Sequence, residues 1–148
     1  MQTKLAQIQA NIKFMTVREA KGEPFHFPSE IYESMRAETK IDRECVWVLH
    51  VNGRNRIIYK ELVSMGTATA SLVAPREVFR RAIIEGSAAV IVVHNHPSGD
   101  PEPSVDDIGV CTNLLEAAKI IDIKLLDFMV IGCSGYVSFM EKNVGGFK

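Results

Sequence analysis

The sequence has no hydrophobic run long enough to cross a bilayer. Its longest strongly apolar stretch, Ala88–Val93, is a fraction of the roughly 20 residues a spanning helix needs. An excess of positive charge is also missing, since 17 Lys and Arg stand against 18 Asp and Glu, a formal net charge of −1. That balance excludes a protein built to coat DNA, though not transient contact with nucleic acid. Cysteine is scarce: Cys45, Cys111 and Cys133 form no CxxC pair, which argues against a disulfide framework and a Cys-based metal site. They are expected to be reduced, mostly buried thiols. Met1–Phe14 lacks the apolar core and small-residue cleavage site of a signal peptide, so a cytoplasmic location is expected. There is no internal repeat and no low-complexity tract.

What is present is globular. With 148 residues, 47% hydrophobic and 24% charged, the chain has enough apolar surface for one packed domain and is not a disordered segment. Residues 1–43 read as a lead-in. Ala6, Ile8, Ile12, Phe14 and Val17 are only loosely periodic, and Pro28-Ser29-Glu30 opens a short helix through Met35, with Ser as N-cap. The main body, 44–148, begins with a Val-, Trp- and Leu-rich strand, Cys45–Val51, a turn at Asn52-Gly53, and a returning strand, Arg56–Met65. A helix with Pro75 in its first turn runs to Gly86. Ala88–Val93 follows as a strand buried on both faces. His94–Pro103 reads as a loop, Ser104–Ile121 as the second long helix, and Lys124–Ile131 and Tyr136–Met140 as the last strands. The order β-β-α-β-α-β-β predicts an α/β fold with a mixed sheet sandwiched by helices.

The chemistry concentrates in His94-Asn95-His96-Pro97-Ser98-Gly99-Asp100-Pro101-Glu102-Pro103-Ser104-Val105-Asp106-Asp107. Side chains alternate along a strand, so His94 and His96 point one way and Asn95 the other. Ser104 suits the N-cap of the next helix and Asp107 falls three residues later, where a helix N-terminus favours a carboxylate. Taken singly, a strand-end His is most often structural and Ser-x-x-Asp most often a capping box. Together, two imidazoles and a carboxylate supply three protein ligands. A tetrahedral Zn²⁺ site of that kind keeps its fourth position for water, which is the catalytic arrangement.

The run His94-x-His96-Pro97-(six residues)-Ser104-x-x-Asp107 resembles the JAMM motif of MPN/JAB-type metalloenzymes. The fuller string HNHPSG…PS…D, preceded by PREVFRRAIIEGSAAVIVV, resembles the RadC branch of that family over about residues 44 to 141. The resemblance implies a JAB/MPN-like (cytidine-deaminase-like) fold, with His94, His96 and Asp107 as Zn²⁺ ligands. It further implies that Ser104 donates a hydrogen bond to the oxyanion or the metal-bound water, and that a Glu in a Glu-x-x-x-x-Gly setting is the general acid/base. Glu61 through Gly66 fits that setting, which makes Glu61 the candidate and Glu77, in a first helical turn, the runner-up. Full-length RadC proteins carry an N-terminal helix-hairpin-helix-like domain, and a chain of this length is expected to resemble the short RadC-type proteins without it. The implied reaction is hydrolysis of an amide, peptide or isopeptide bond in a peptide or protein conjugate that the sequence does not specify.

Two other functional classes compete. RadC proteins carry a DNA-repair association, and Arg54, Arg56 and Lys60 on the hairpin with Arg76, Arg80 and Arg81 on the helix offer contacts to phosphates. Zinc deamination is excluded, because it needs H-x-E followed by PCxxC. The alternative to catalysis is an MPN-type interaction module that has lost its ligands, against which the intact His94, His96, Ser104 and Asp107 speak. His26 reads as a loop residue, His50 and Trp47 as structural, and a homodimer through Ala82–Ile84 or the edge hairpin is left open.

Overall fold

The computed structural model describes residues 22–66 and 73–148. The weakly periodic positions from Ala6 to Val17, and the loop expected at Thr67–Ser71, lie outside the described residues. Five strands form a single sheet in the order β2-β1-β3-β4-β5. They are β1 (Glu44–Val51), β2 (Ile57–Gly66), β3 (Ala89–Asn95), β4 (Lys124–Gly132) and β5 (Gly135–Ser138). Helices α1 (Pro28–Ser34), α2 (Pro75–Glu85), α3 (Val105–Ile121) and α4 (Phe139–Lys142) complete the described elements, with a 3₁₀ turn at Glu38–Lys40. β1 runs antiparallel to β2 and β3, β3 runs parallel to β4 across the α3 crossover, and β5 closes antiparallel on β4. This is the mixed α/β sandwich of a JAB/MPN-like domain.

Alternation along the central strands sorts the core into two. Val46, Val48, Val90, Val92, Phe128 and Val130 face one way and pack under Phe79, Ala82, Leu114 and Phe139 from α2, α3 and α4. Trp47, Leu49, Ile91, Val93, Met129 and Ile131 face the other way, onto Ile31 and Tyr32 of α1 and Met35 just after it. The short helix of the expected lead-in therefore packs on this face of the sheet. At its start the expected Ser29 cap is replaced. Phe27 is the N-cap, Pro28 takes the first turn, and the Glu30 carboxylate accepts the Phe27 amide at 3.0 Å. In the β1–β2 turn the left-handed residue is Asn55 (φ 56°) rather than Gly53. Asn52 Oδ1 accepts the Arg54 and Arg56 amides at 2.9 and 3.1 Å and pins the loop. Cys45 and Cys111 are buried and Cys133 is exposed; burial pushes the Cys111 thiol up to about 12. Among the described residues, no helix is long and apolar enough to cross a membrane.

Two boundaries differ from expectation. β3 continues past Val93, because His94 and Asn95 pair with Val130 and Ile131 of β4. Parallel pairing carries the strand through residues that look like loop in isolation. At the other end the last strand stops at Ser138, whose hydroxyl caps the turn of α4 by accepting the Glu141 amide at 3.1 Å.

Asp127 underlies this corner. Its buried carboxylate accepts the Ser138 hydroxyl at 2.5 Å and the Met140 amide at 3.0 Å. Burial pushes its pKa up to about 6 against the pull of those hydrogen bonds. An unfolded Asp releases its proton near pH 3.9. Between about pH 4 and 6 the folded chain holds the extra proton, so this group's contribution to stability is full at acid pH and is lost as pH rises through that window. Asp127→Asn removes the dependence. The wild-type minus variant difference in unfolding free energy, followed by urea denaturation, is expected to fall by on the order of 3 kcal/mol between pH 4 and 7.

Candidate metal centre

β3 ends with its histidines above the α2–α3 face. Val46 pairs with His94 across the β1–β3 ladder, so His94 lies on the same face as Val46 and Asn95 on the opposite one. The chain then leaves the strand through His96-Pro97-Ser98-Gly99. The His96 amide donates to Ile131 O at 2.8 Å and the Gly99 amide closes the turn on His96 O at 3.0 Å. This turn sits directly on the β4–β5 turn. Ser134 Oγ donates to Gly99 O at 2.6 Å, and a Cβ added at Gly132 would meet that same oxygen at 2.2 Å. Only glycine at position 132 allows the two backbones to approach so closely.

Ser104 and Asp107 form the reciprocal cap that their spacing predicts. Ser104 Oγ accepts the Asp107 amide at 3.1 Å and the Ser104 amide donates to Asp107 Oδ2 at 2.8 Å. The cap holds the carboxylate toward the histidines. Asp107 Oδ1 is 2.8 Å from His94 Nδ1, and Asp107 Oδ2 is 3.3 Å from His96 Nε2. One candidate ligand atom from each of His94, His96 and Asp107 lies within 4.8 Å of the others. Burial works against the Asp107 charge, but hydrogen bonds with His94, His96 and the Ser104 amide outweigh it and hold the carboxyl well below the usual range. The Asp107 hydrogen bond raises the His96 pKa, against the effect of burial.

The ring nitrogens are oriented for a cation. His96 Nδ1 lies 2.9 Å from Asp100 O. A carbonyl can only accept, so that nitrogen carries the hydrogen, and a cation at the cluster would take the Nε2 lone pair in place of the 3.3 Å contact with Asp107. The Asp107 carboxylate does the same for His94 Nδ1. His94 Nε2 is then a buried lone pair with no hydrogen-bond partner, an arrangement that natural cores seldom leave unanswered. One nitrogen of each imidazole and the Asp107 carboxylate lie within 4.8 Å of one another, a donor set that suits Zn²⁺.

The acid beside this cluster is Glu44. Its Oε2 stands 3.9 Å from His94 Nε2. It begins β1 two residues before Val46 and so projects on the same face. Glu61 is elsewhere. It pairs with Val48, and Val48 with Val92, which sets it one strand further out and roughly 7 Å down the sheet from His94. Its carboxylate meets His50 Nε2 at 3.3 Å and Arg80 at 4.0 Å. Burial lowers the pKa of His50, against the raising effect of Glu61. Glu77 pairs with Arg76 at 3.3 Å in the first turn of α2. Glu44 escapes a reading of the sequence because a lone acid at a strand start looks like a solvated end. Nothing in the sequence marks it, because its approach to His94 depends on the β1–β3 register.

A groove of about 620 Å³ opens beside the cluster, lined by Asp42, Arg43, Glu44, Gly66, His96 and Ser98. The basic residues noted above for phosphate contact are largely paired. Lys60 meets Glu38, Arg76 meets Glu77 at 3.3 Å, Arg81 meets Glu85 at 3.0 Å, and Arg80 meets Glu61. The Arg81 guanidinium also lies over the Tyr59 ring, 4.5 Å from its centroid.

The chain is 45% identical over 121 residues to the UPF0758 protein of Pelobacter propionicus, covering 81% of this chain and 53% of that one. It is 47% identical over 116 residues to the UPF0758 protein of Pelodictyon phaeoclathratiforme, covering 78% and 52%. With the UPF0758 protein of Methanosarcina mazei it shares 42% identity over 117 residues, covering 78% and 51%. It thus spans about half the length of these curated relatives. Residues 25–144, from the approach to α1 to the end of α4, match the family model for the RadC-like JAB domain, and the chain belongs to that family.

Proposed function

We propose that this protein is a zinc-dependent hydrolase of the JAMM type that cleaves an amide, peptide or isopeptide bond. The observation that carries the reading is the buried Nε2 of His94, which has no hydrogen-bond partner on a ring whose other nitrogen meets Asp107 and which lies 3.9 Å from the Glu44 carboxylate. His94, His96 and Asp107 would hold the ion, and Zn²⁺ supplies Lewis acidity and brings the pKa of water toward ~7. Glu44, 3.9 Å from His94 Nε2, takes the role that the family pattern suggested for Glu61: it accepts the proton of the attacking water and passes it to the leaving amine. Ser104 is exposed and its oxygen accepts the Asp107 amide, which leaves the hydroxyl proton to donate to the oxyanion. One such donor is worth roughly 3–4 kcal/mol in measured cases. The groove past Glu44 and His96 is where an extended substrate would lie.

Two observations weigh against the other readings. Four of the basic residues that would bind phosphate already meet acids, and the ligand set that an interaction module would have lost is present. The test is metal analysis combined with an activity screen. Purified protein is expected to hold one zinc per chain and to hydrolyse members of a peptide and isopeptide panel. Activity should vanish on treatment with 1,10-phenanthroline and return with Zn²⁺. Protein that takes up no zinc, or cleaves equally well after chelation, overturns the proposal.

A further inference from the structure

The backbone ladder between β1 and β3 ends at Val46 and His94. Beyond it, the tie between the two strands passes to one side chain. Asn95 is fully buried, on the face opposite the two histidines. Its Oδ1 accepts the Cys45 amide at 2.6 Å and its Nδ2 donates to Arg43 O at 3.0 Å, with Ile41 O and Glu38 O each at 3.4 Å. Arg43 and Cys45 are the neighbours of Glu44 on either side. The Glu44 side chain is 41% exposed, so its own packing restrains it little, and its aim depends on where the backbone holds it.

We propose that Asn95 is a positioning residue for Glu44, clamping the peptide on both sides of the acid while its neighbours His94 and His96 face the metal. The inference rests on the reading of Glu44 as general base. The residue type follows from the task. The clamp needs an acceptor for one amide and donors for carbonyls, which Asn supplies, whereas Asp has no donor and Ser is too short to span both. Base and ligands are thereby tied to three consecutive residues at the end of β3 and just past it, so their separation is set there.

The test uses zinc affinity by chelator competition, and acetohydroxamic acid binding to the Co²⁺-loaded full chain followed by absorbance. A hydroxamate chelates the metal and shares its hydroxyl proton with a carboxylate in the base position, so its affinity reads where Glu44 is without turnover. Asn95→Ala is expected to weaken acetohydroxamate on the order of tenfold, the scale of losing an outer-shell partner, with zinc affinity held to within about twofold. In a Glu44→Gln background it should cost nothing further, because it acts through that residue. Exchange of the Cys45 amide should accelerate in the metal-free protein. Asn95→Asp keeps the acceptor and loses the donor, and it is expected to fall between wild type and Ala; it carries the test if the Ala variant fails to fold. Unchanged acetohydroxamate affinity, or losses that add fully in the double variant, overturn this inference alone. Wild-type protein that binds no zinc overturns the hydrolase reading beneath it.

Discussion

Asp107→Asn is expected to abolish stable zinc binding while leaving the fold in place. The variant keeps the length of the side chain and an oxygen for the Ser104 amide, which is 2.8 Å from Asp107 Oδ2 in the native cap. What it loses is the negative charge that would let two imidazoles and a divalent ion share one buried site. Removing a ligand should exceed the 10–100-fold loss typical of an outer-shell partner. The thermodynamic signature is separable from any effect on folding. A ligand that binds only the native state stabilises it by about 4 kcal/mol at a thousand times its Kd. Wild-type protein should therefore melt at a higher temperature when zinc is added, and Asp107→Asn should melt at the same temperature with and without it. A zinc-dependent rise in the variant equal to that of wild type would remove Asp107 from the ligand set.

Glu44→Gln carries the second large effect. Loss of a general acid/base costs typically 10²–10⁴-fold, and that drop is expected in kcat with zinc content unchanged. Glu61→Gln should leave turnover nearly intact. Its carboxylate serves His50 and Arg80, so its cost appears as stability. The two variants form a contrast, since both remove one acidic charge from neighbouring strands on the same side of the sheet. Only Glu44 stands beside His94 Nε2, at 3.9 Å. Measuring kcat and unfolding free energy for both is decisive: a collapse of kcat in Glu61→Gln with Glu44→Gln unaffected would reverse the assignment.

Asn95 shows how much one strand end is asked to do. Three consecutive residues present a candidate ligand, a buried amide and a second candidate ligand on alternating faces. The β4–β5 turn packs against Gly99 in the turn after His96 through Ser134 and Gly132, and Tyr32 of α1 donates to Gly132 O at 3.0 Å. The helix that covers the far face of the sheet is thus connected to the loop carrying His96.

Short-range order was legible from the residues themselves. Turn chemistry, apolar runs and helix caps are local, and so the strand–strand–helix order, the cap of Ser104 on Asp107 and the common direction of His94 and His96 could all be read from spacing. The metal cluster is of this kind, because its three members lie within fourteen residues, joined by one turn and one helix start. The base is not. Which acid stands beside His94 depends on which strand neighbours β3 and in what register. A slide of one residue would turn Glu44 to the other face. No local pattern encodes that pairing, and only the packed sheet, with Val46 opposite His94, brought Glu44 to the site and left Glu61 beside His50.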